Sequence, residues 1–151
     1  MEDLVESNNT VLKFKKQHEL AILPSYAHSR DSGMDLSSVD TLDIPPGEVR
    51  VVSTGLSAEI PMEHEIQIRP RSGLAAKNGV TVLNSPGTVD SAFLGVIKVI
   101  LINHGKETFS VAPGMRIAQA VLCRVERAII QETEVLAQTE RGTNGFGSSG
   151  V

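Results

Sequence analysis

At 151 residues, with 40% apolar and 21% charged side chains, the chain is sized for one domain with a single core, and neither a disordered chain nor a coiled coil fits that composition. The formal net charge is −4 and no basic stripe appears beyond Lys13, Lys15 and Lys16, so nucleic acid is not expected as a partner; a small anion held by a few arginines stays open. Residues 1–6 are acidic with no apolar signal core, and the longest apolar run, 96–102, is broken by Lys98 and too short to cross a bilayer, which predicts a cytoplasmic protein with no membrane partner.

Residues 11–15, 48–52 and 65–69 alternate, or nearly alternate, apolar with polar side chains, the period of a strand with one wet face. Ser72 reads as the N-cap of the single helical stretch, 72–79, which ends on Gly79. The runs 96–102 and 117–125 are rich in β-branched residues and read as strands buried on both faces, with Asn103-His104-Gly105 as a hairpin. Pro45-Pro46-Gly47, Asn84-Ser85-Pro86-Gly87 and Pro113-Gly114 supply further turns. Many short strands with one short helix predict an all-β fold, a barrel or jelly roll. The β domain is expected over 1–140. Residues 141–151 are too glycine-rich to hold a strand and are expected to form a mobile arm.

Several side chains invite chemistry. Arg71 and Ser72 stand where a strand gives way to the helix, either an anion site or an ordinary helix start with a surface arginine. Asp90, like Asp35, lies within an apolar stretch, where a lone carboxylate costs several kcal/mol to ionise; it reads as a buried turn cap or a catalytic group. Gln119 is another polar residue in an apolar strand. Phe146, one of only four phenylalanines, falls in the glycine-rich arm, which reads as a loose terminus or as a lid with Arg141 as its charge. The single Cys123 reads as a buried thiol and cannot form an intrachain disulfide. The four histidines show no metal-ligand spacing, and neither a P-loop nor a Gly-x-Ser-x-Gly elbow is present.

The order of the short motifs is more specific than any one of them. Ser-Gly-Met-Asp-Leu at 32–36, Pro-Arg-Ser-Gly-Leu-Ala at 70–75 and Asn-Ser-Pro-Gly-Thr-Val-Asp at 84–90 are followed by Phe93-Leu94-Gly95. Pro-Gly-Met-Arg-Ile-Ala-Gln at 113–119 and Arg-Gly-Thr-Asn-Gly-Phe-Gly-Ser-Ser-Gly at 141–150 complete the series. Together they resemble the five motifs of the homotrimeric dUTP pyrophosphatases (dUTPases), in order and over nearly the whole chain.

The resemblance implies a distorted jelly-roll subunit in a homotrimer whose active sites are shared between chains. It implies hydrolysis of dUTP to dUMP and pyrophosphate. By motif, Asp90 would be the general base for the attacking water, and Asp35 would touch the water shell of a Mg²⁺ held mainly by the triphosphate. Arg71, Ser72, Gly73 and Gln119 would hold phosphate oxygens. Asn84, Gly87, Thr88 and Val89 would form a hairpin that reads uracil, with Phe93 beneath the deoxyribose. The arm would close with Phe146 stacked on the base and with Arg141, Ser148 and Ser149 on the phosphates. The chain departs from the family pattern at Phe93, where Tyr is usual, at Ala92, where a second Asp is frequent, and at Met115, usually charged. Ala92 prompts one alternative, a regulatory dUTP-binding protein with weak turnover. A second alternative is a relative of dCTP deaminase, which needs a glutamate base in its pyrimidine pocket; the segment 84–95 contains no glutamate.

Overall fold

The computed structural model describes residues 10–150; the acidic residues 1–6 and Val151 lie outside the described residues. In chain order the elements are β1 (Lys13–Lys16), β2 (Met34–Ser37), β3 (Leu42–Ile44), β4 (Val49–Ser53), β5 (Leu56–Glu59), β6 (His64–Arg69), α1 (Ser72–Asn78), β7 (Val80–Val82), β8 (Gly87–Asp90), β9 (Lys98–Asn103), β10 (Phe109–Val111) and β11 (Arg116–Arg124). They pair into antiparallel sheets ordered β2-β11-β6-β8 and β4-β9-β7, with two ribbons, β1-β5 and β10-β3. The fold is a nearly all-β, jelly-roll-type barrel, as the strand-rich sequence predicts.

Alternation decides which face each strand buries. In β6, Ile66 and Ile68 point inward while Glu65, Gln67 and Arg69 stay half-buried on the other side. In β9, Val99, Leu101 and Asn103 point inward. Val99 and Leu101 join Ile66, Ile68, Leu36, Val52, Val80, Val89 and Ile117 in one continuous core. Each Leu or Ile so buried contributes about 1.5–3 kcal/mol. The runs 96–102 and 117–125 are less symmetric than expected. β9 keeps Ile100 and Ile102 half-buried, and β11 does the same with Gln119, Leu122 and Cys123. Cys123 is therefore a half-buried thiol, within 3.9 Å of Arg69 Nη2.

Three turn expectations change. Residues 103–105 do not form a hairpin, because β9 pairs with β4 and β7 whereas β10 pairs with β3. The fully buried Asn103 side chain makes the crossing instead: its Nδ2 donates to Ile44 O (2.8 Å) and Glu107 O (2.7 Å), and its Oδ1 accepts from Gly105 N (2.8 Å). Residues 84–89 are likewise not a hairpin; β7 and β8 belong to different sheets, and the turn between them carries a cis Ser85–Pro86 bond. Ser72 is the first helical residue rather than the cap. The cap position is Arg71, in extended conformation and without a side-chain capping bond. Gly79 does end the helix, at φ 68°, and a Cβ there would come within 2.7 Å of Gly105 N, so both backbone and space require glycine.

Beyond β11 the chain leaves the body. Val125 N still donates to Glu63 O (2.8 Å), but every residue from 126 to 150 is exposed. Ile129 (97% exposed), Ile130, Val135 and Leu136 (80%) are among them. This segment begins well before the glycine-rich stretch. Among the described residues, no helix is long and apolar enough to cross a membrane.

Candidate active site

β11 organises one half of the site. Its Gln119 stands opposite Asp35 on β2 and opposite Arg69 on β6, so three polar residues form a row across the sheet. Two residues past Arg69 the chain reaches Arg71, whose Nε lies 3.2 Å from Asp35 Oδ1. Arg116 Nη1 reaches the other oxygen of the same carboxylate at 3.4 Å. Gln119 Nε2 donates to Pro70 O (2.9 Å), which ties the 70–73 loop to the strand. Asp35 is thus half-buried between two guanidinium groups, and its charge is answered there. Motif reading assigns Arg116 no role; it lies 81 residues from Asp35, and only the β2–β11 pairing shows the contact.

Gly33 makes this packing possible. A Cβ at that position would collide with Gln119 Oε1 and stand 3.0 Å from its Cδ and 3.2 Å from its Cβ. With no side chain at Gly33, the amide oxygen lies against that backbone while its nitrogen bonds Pro70 O. Ser72 and Gly73 follow in the exposed first turn of α1. Asp35, Arg71 and Gln119 are therefore brought together, with Ser72 and Gly73 on the adjoining turn.

The second half lies elsewhere on the same sheet. β8 pairs with β6 so that Gly87 faces Ile68 and Asp90 faces Glu65. Asp90 is exposed at the strand's end, not a buried turn cap, and its carbonyl accepts Phe93 N (3.1 Å). Glu65 and Arg69 are four residues apart along β6, so Asp90 sits roughly 13 Å along the strand from the Arg69 row. One chain alone does not bring Asp90 to the Asp35–Arg71–Gln119 cluster. Directly opposed strand residues have neighbouring side chains, which makes Glu65 a carboxylate neighbour of Asp90 that no reading of the 84–95 segment reveals. Its Oε1 accepts from Gln67 Nε2 (2.8 Å).

Asn84 and Thr88 are exposed, Gly87 and Val89 buried. The Val89 side chain belongs to the core, which leaves its backbone as the part able to meet a ligand. A Cβ on Gly87 would press on Ile68 Cβ (3.2 Å) and on Asn84 Nδ2 (3.4 Å), so the Asn84 amide lies over a bare backbone. Phe93 is 47% exposed in the loop that follows Asp90.

Arg141, Phe146, Ser148 and Ser149 lie on the exposed segment. Arg141 Nε donates to Asn144 O (2.9 Å), Ser148 N to Gly145 O (2.8 Å) and Gly150 N to Gly147 O (3.0 Å). Arg141, Ser148 and Ser149 line an open recess made by arm residues alone, and Phe146 is fully exposed. These four residues are close to one another in sequence and remote from the body's contacts.

No cluster of three or more His, Cys, Asp or Glu able to hold a metal occurs among the described residues. The donor set suits a different arrangement. Mg²⁺ is commonly held by one or two carboxylates together with substrate phosphates, and Asp35, a half-buried carboxylate beside two arginines, can supply one such contact.

The dUTPase family model matches residues 19–150. The chain is 55% identical over 140 residues to the deoxyuridine 5'-triphosphate nucleotidohydrolase of Gloeothece citriformis, covering 93% of this chain and 97% of that one. It is 56% identical over 140 residues to the corresponding protein of Crocosphaera subtropica, with 93% and 99% covered. Among solved structures, a point mutant of the Staphylococcus bacteriophage 80alpha dUTPase with dUpNHpp superposes with a TM-score of 0.87 at 25% identity, covering 95% of this chain and all of the other. A point mutant of the dUTPase from phage phi11 of S. aureus, described with a structural Mg(II) ion, shares the fold at 20% identity and a TM-score of 0.76 over 83% of this chain and 98% of the other. The chain belongs to the dUTPase family.

Proposed function

We infer that the protein hydrolyses dUTP to dUMP and pyrophosphate, which keeps uracil out of DNA and supplies dUMP for dTMP synthesis. The observation that carries this reading is the union of Asp35, Arg71 and Gln119 at one end of the β2-β11-β6-β8 sheet, with the 84–93 segment presented on its edge strand. The first group suits a chain of phosphates, and the second suits a pyrimidine nucleoside.

Asp90 accepts a proton from the water that attacks the α-phosphorus in line, and its exposure leaves it open to that water. Arg71, Ser72, Gly73 and Gln119 hold phosphate oxygens, Arg71 exchanging part of its contact with Asp35 for the triphosphate. Mg²⁺, bound chiefly by the triphosphate with Asp35 at its water shell, would neutralise the phosphate charge. Asn84 and the backbone of Gly87, Thr88 and Val89 read the edge of uracil. Cytosine would leave those donors and acceptors unpaired and is rejected on that account. Phe93 lies under the deoxyribose. The arm brings Phe146 onto the base and Arg141, Ser148 and Ser149 onto the phosphates, excluding bulk water.

The assembly is a homotrimer with composite sites. The separation of Asp90 from the Asp35 cluster along β6 supports this, because a second chain can bring its own cluster to Asp90. So do the exposed apolar residues of 126–136 and the exposed Val49 and Val51 on β4, which need a surface to cover them. The working location is the cytoplasm.

The test is pyrophosphate release from dUTP with Mg²⁺, run beside dTTP, dCTP and UTP, with EDTA as control. Turnover confined to dUTP is expected. Tight dUTP binding with no turnover would sink the hydrolase reading in favour of a regulatory one.

A further inference from the structure

The loop that carries Phe93 folds back so that the ring rests on Gly95. A Cβ on Gly95 would fall 2.7 Å from Phe93 Cζ, 3.0 Å from Cε2 and 3.5 Å from Cε1. The backbone at Gly95 lies outside the left-handed region, so its conformation does not demand glycine; what a side chain there would meet is the far end of the Phe93 ring. Phe93 N bonds Asp90 O at 3.1 Å, which closes the start of the loop. Ala92, Phe93 and Leu94 are all exposed, so the core does not hold the ring. Its height above the loop is set by what it rests on.

We propose that Gly95 is a positioning residue that seats the Phe93 ring and, through it, fixes the depth of the deoxyribose pocket. The inference rests on the reading of Phe93 as the surface beneath the sugar. Gly95→Ala keeps the backbone conformation but pushes the ring outward by several tenths of an ångström, the distance needed to restore ordinary contact. Moving away from the loop takes the ring into the space assigned to the sugar. Asp90 stands before the closed turn and is untouched by the new methyl group.

The experiment is a four-protein set: wild type, Gly95→Ala, Phe93→Ala and the double variant. Steady-state rates with dUTP and UTP are measured beside binding of the non-hydrolysable analogue dUpNHpp by calorimetry. Gly95→Ala is expected to raise the dUTP KM and the dUpNHpp Kd together by roughly tenfold, the scale of one methylene in a tight pocket, with kcat within about threefold. In the Phe93→Ala background the same substitution should change neither constant by more than about twofold, since coupled residues are non-additive. An unchanged KM and Kd in Gly95→Ala overturns the proposal, as does an equal rise in both backgrounds. Phe93→Ala itself should lower the preference for dUTP over UTP by about tenfold or more. An unchanged preference there would defeat the reading of Phe93 while the coupling between 93 and 95 is still measured.

Discussion

The Asp35–Arg71–Gln119 cluster and the arm at 141–150 carry similar chemistry, arginines and small polar groups suited to phosphate, yet they are built in opposite ways. In the cluster, sheet register sets each position: Gln119 lies between Asp35 and Arg69 and is bonded to Pro70, with Gly33 closing the space beside it. In the arm, hydrogen bonds reach only three residues along the chain and every side chain is exposed. The first region is organised before any ligand arrives. The second is held by local bonds alone, and on the proposed reading its ordering over a ligand would draw on binding free energy at that moment.

That contrast can be broken by experiment. The largest effect should come from Asp90→Asn, with a loss of ~10²–10⁴-fold in kcat, the usual scale of a general base, while calorimetry still detects dUTP. Retained kcat would dismiss Asp90 from that role. Deleting 141–151 should cost about 100-fold or more in kcat/KM. A single stacked base is worth ~1–3 kcal/mol, and here the stacking and the phosphate contacts go together. The thermal midpoint should stay within about 2 °C, because the segment contributes nothing to the core; a large fall would show that the arm does stabilise the body.

Gly33→Ala sharpens the comparison from the other side. It should displace the Gln119 amide from Pro70 and raise the dUTP KM roughly tenfold, the cost of about one lost hydrogen bond to a group held in place. A normal KM would mean that the close packing at Gly33 is dispensable. The smallest effect belongs to Lys13→Ala, which removes the 2.9 Å pair with Glu59; both partners are about two-thirds exposed, and such pairs contribute at most about 1 kcal/mol. Urea unfolding at low and high salt checks it, and a loss of several kcal/mol would contradict the exposed geometry.

The strands are legible in the sequence because burial follows a period of two. Residues 65–69 alternate in the sequence and in the barrel, and Gly79 ends the helix where expected. The connections are harder to read. A turn such as Asn103-His104-Gly105 looks alike whether the chain doubles back or crosses to another sheet, and the deciding contact is a buried amide reaching Ile44, 59 residues away. In the same way, Asp35, Arg71 and Gln119 each carry a local signal, whereas the Asp35–Arg116 pair and the placement of Glu65 opposite Asp90 arise only from strand pairing. Apolar neighbours are also a poor guide to the exposure of Asp90, since a residue at a strand's end can face outward whatever flanks it.

The stretch between Val125 and Arg141 also sets a reach. About sixteen residues of extended chain span at most roughly 50–55 Å, whereas a body of about this size has a radius of gyration near 14 Å. A tether of that length can cross the whole body and deliver Arg141 and Phe146 beyond the subunit that made them. It also fixes their effective concentration there, which falls steeply when the linker can no longer span the gap. On the proposed reading residues 126–140 act as a ruler, and shortening them is expected to lower kcat/KM without touching any residue assigned to the substrate.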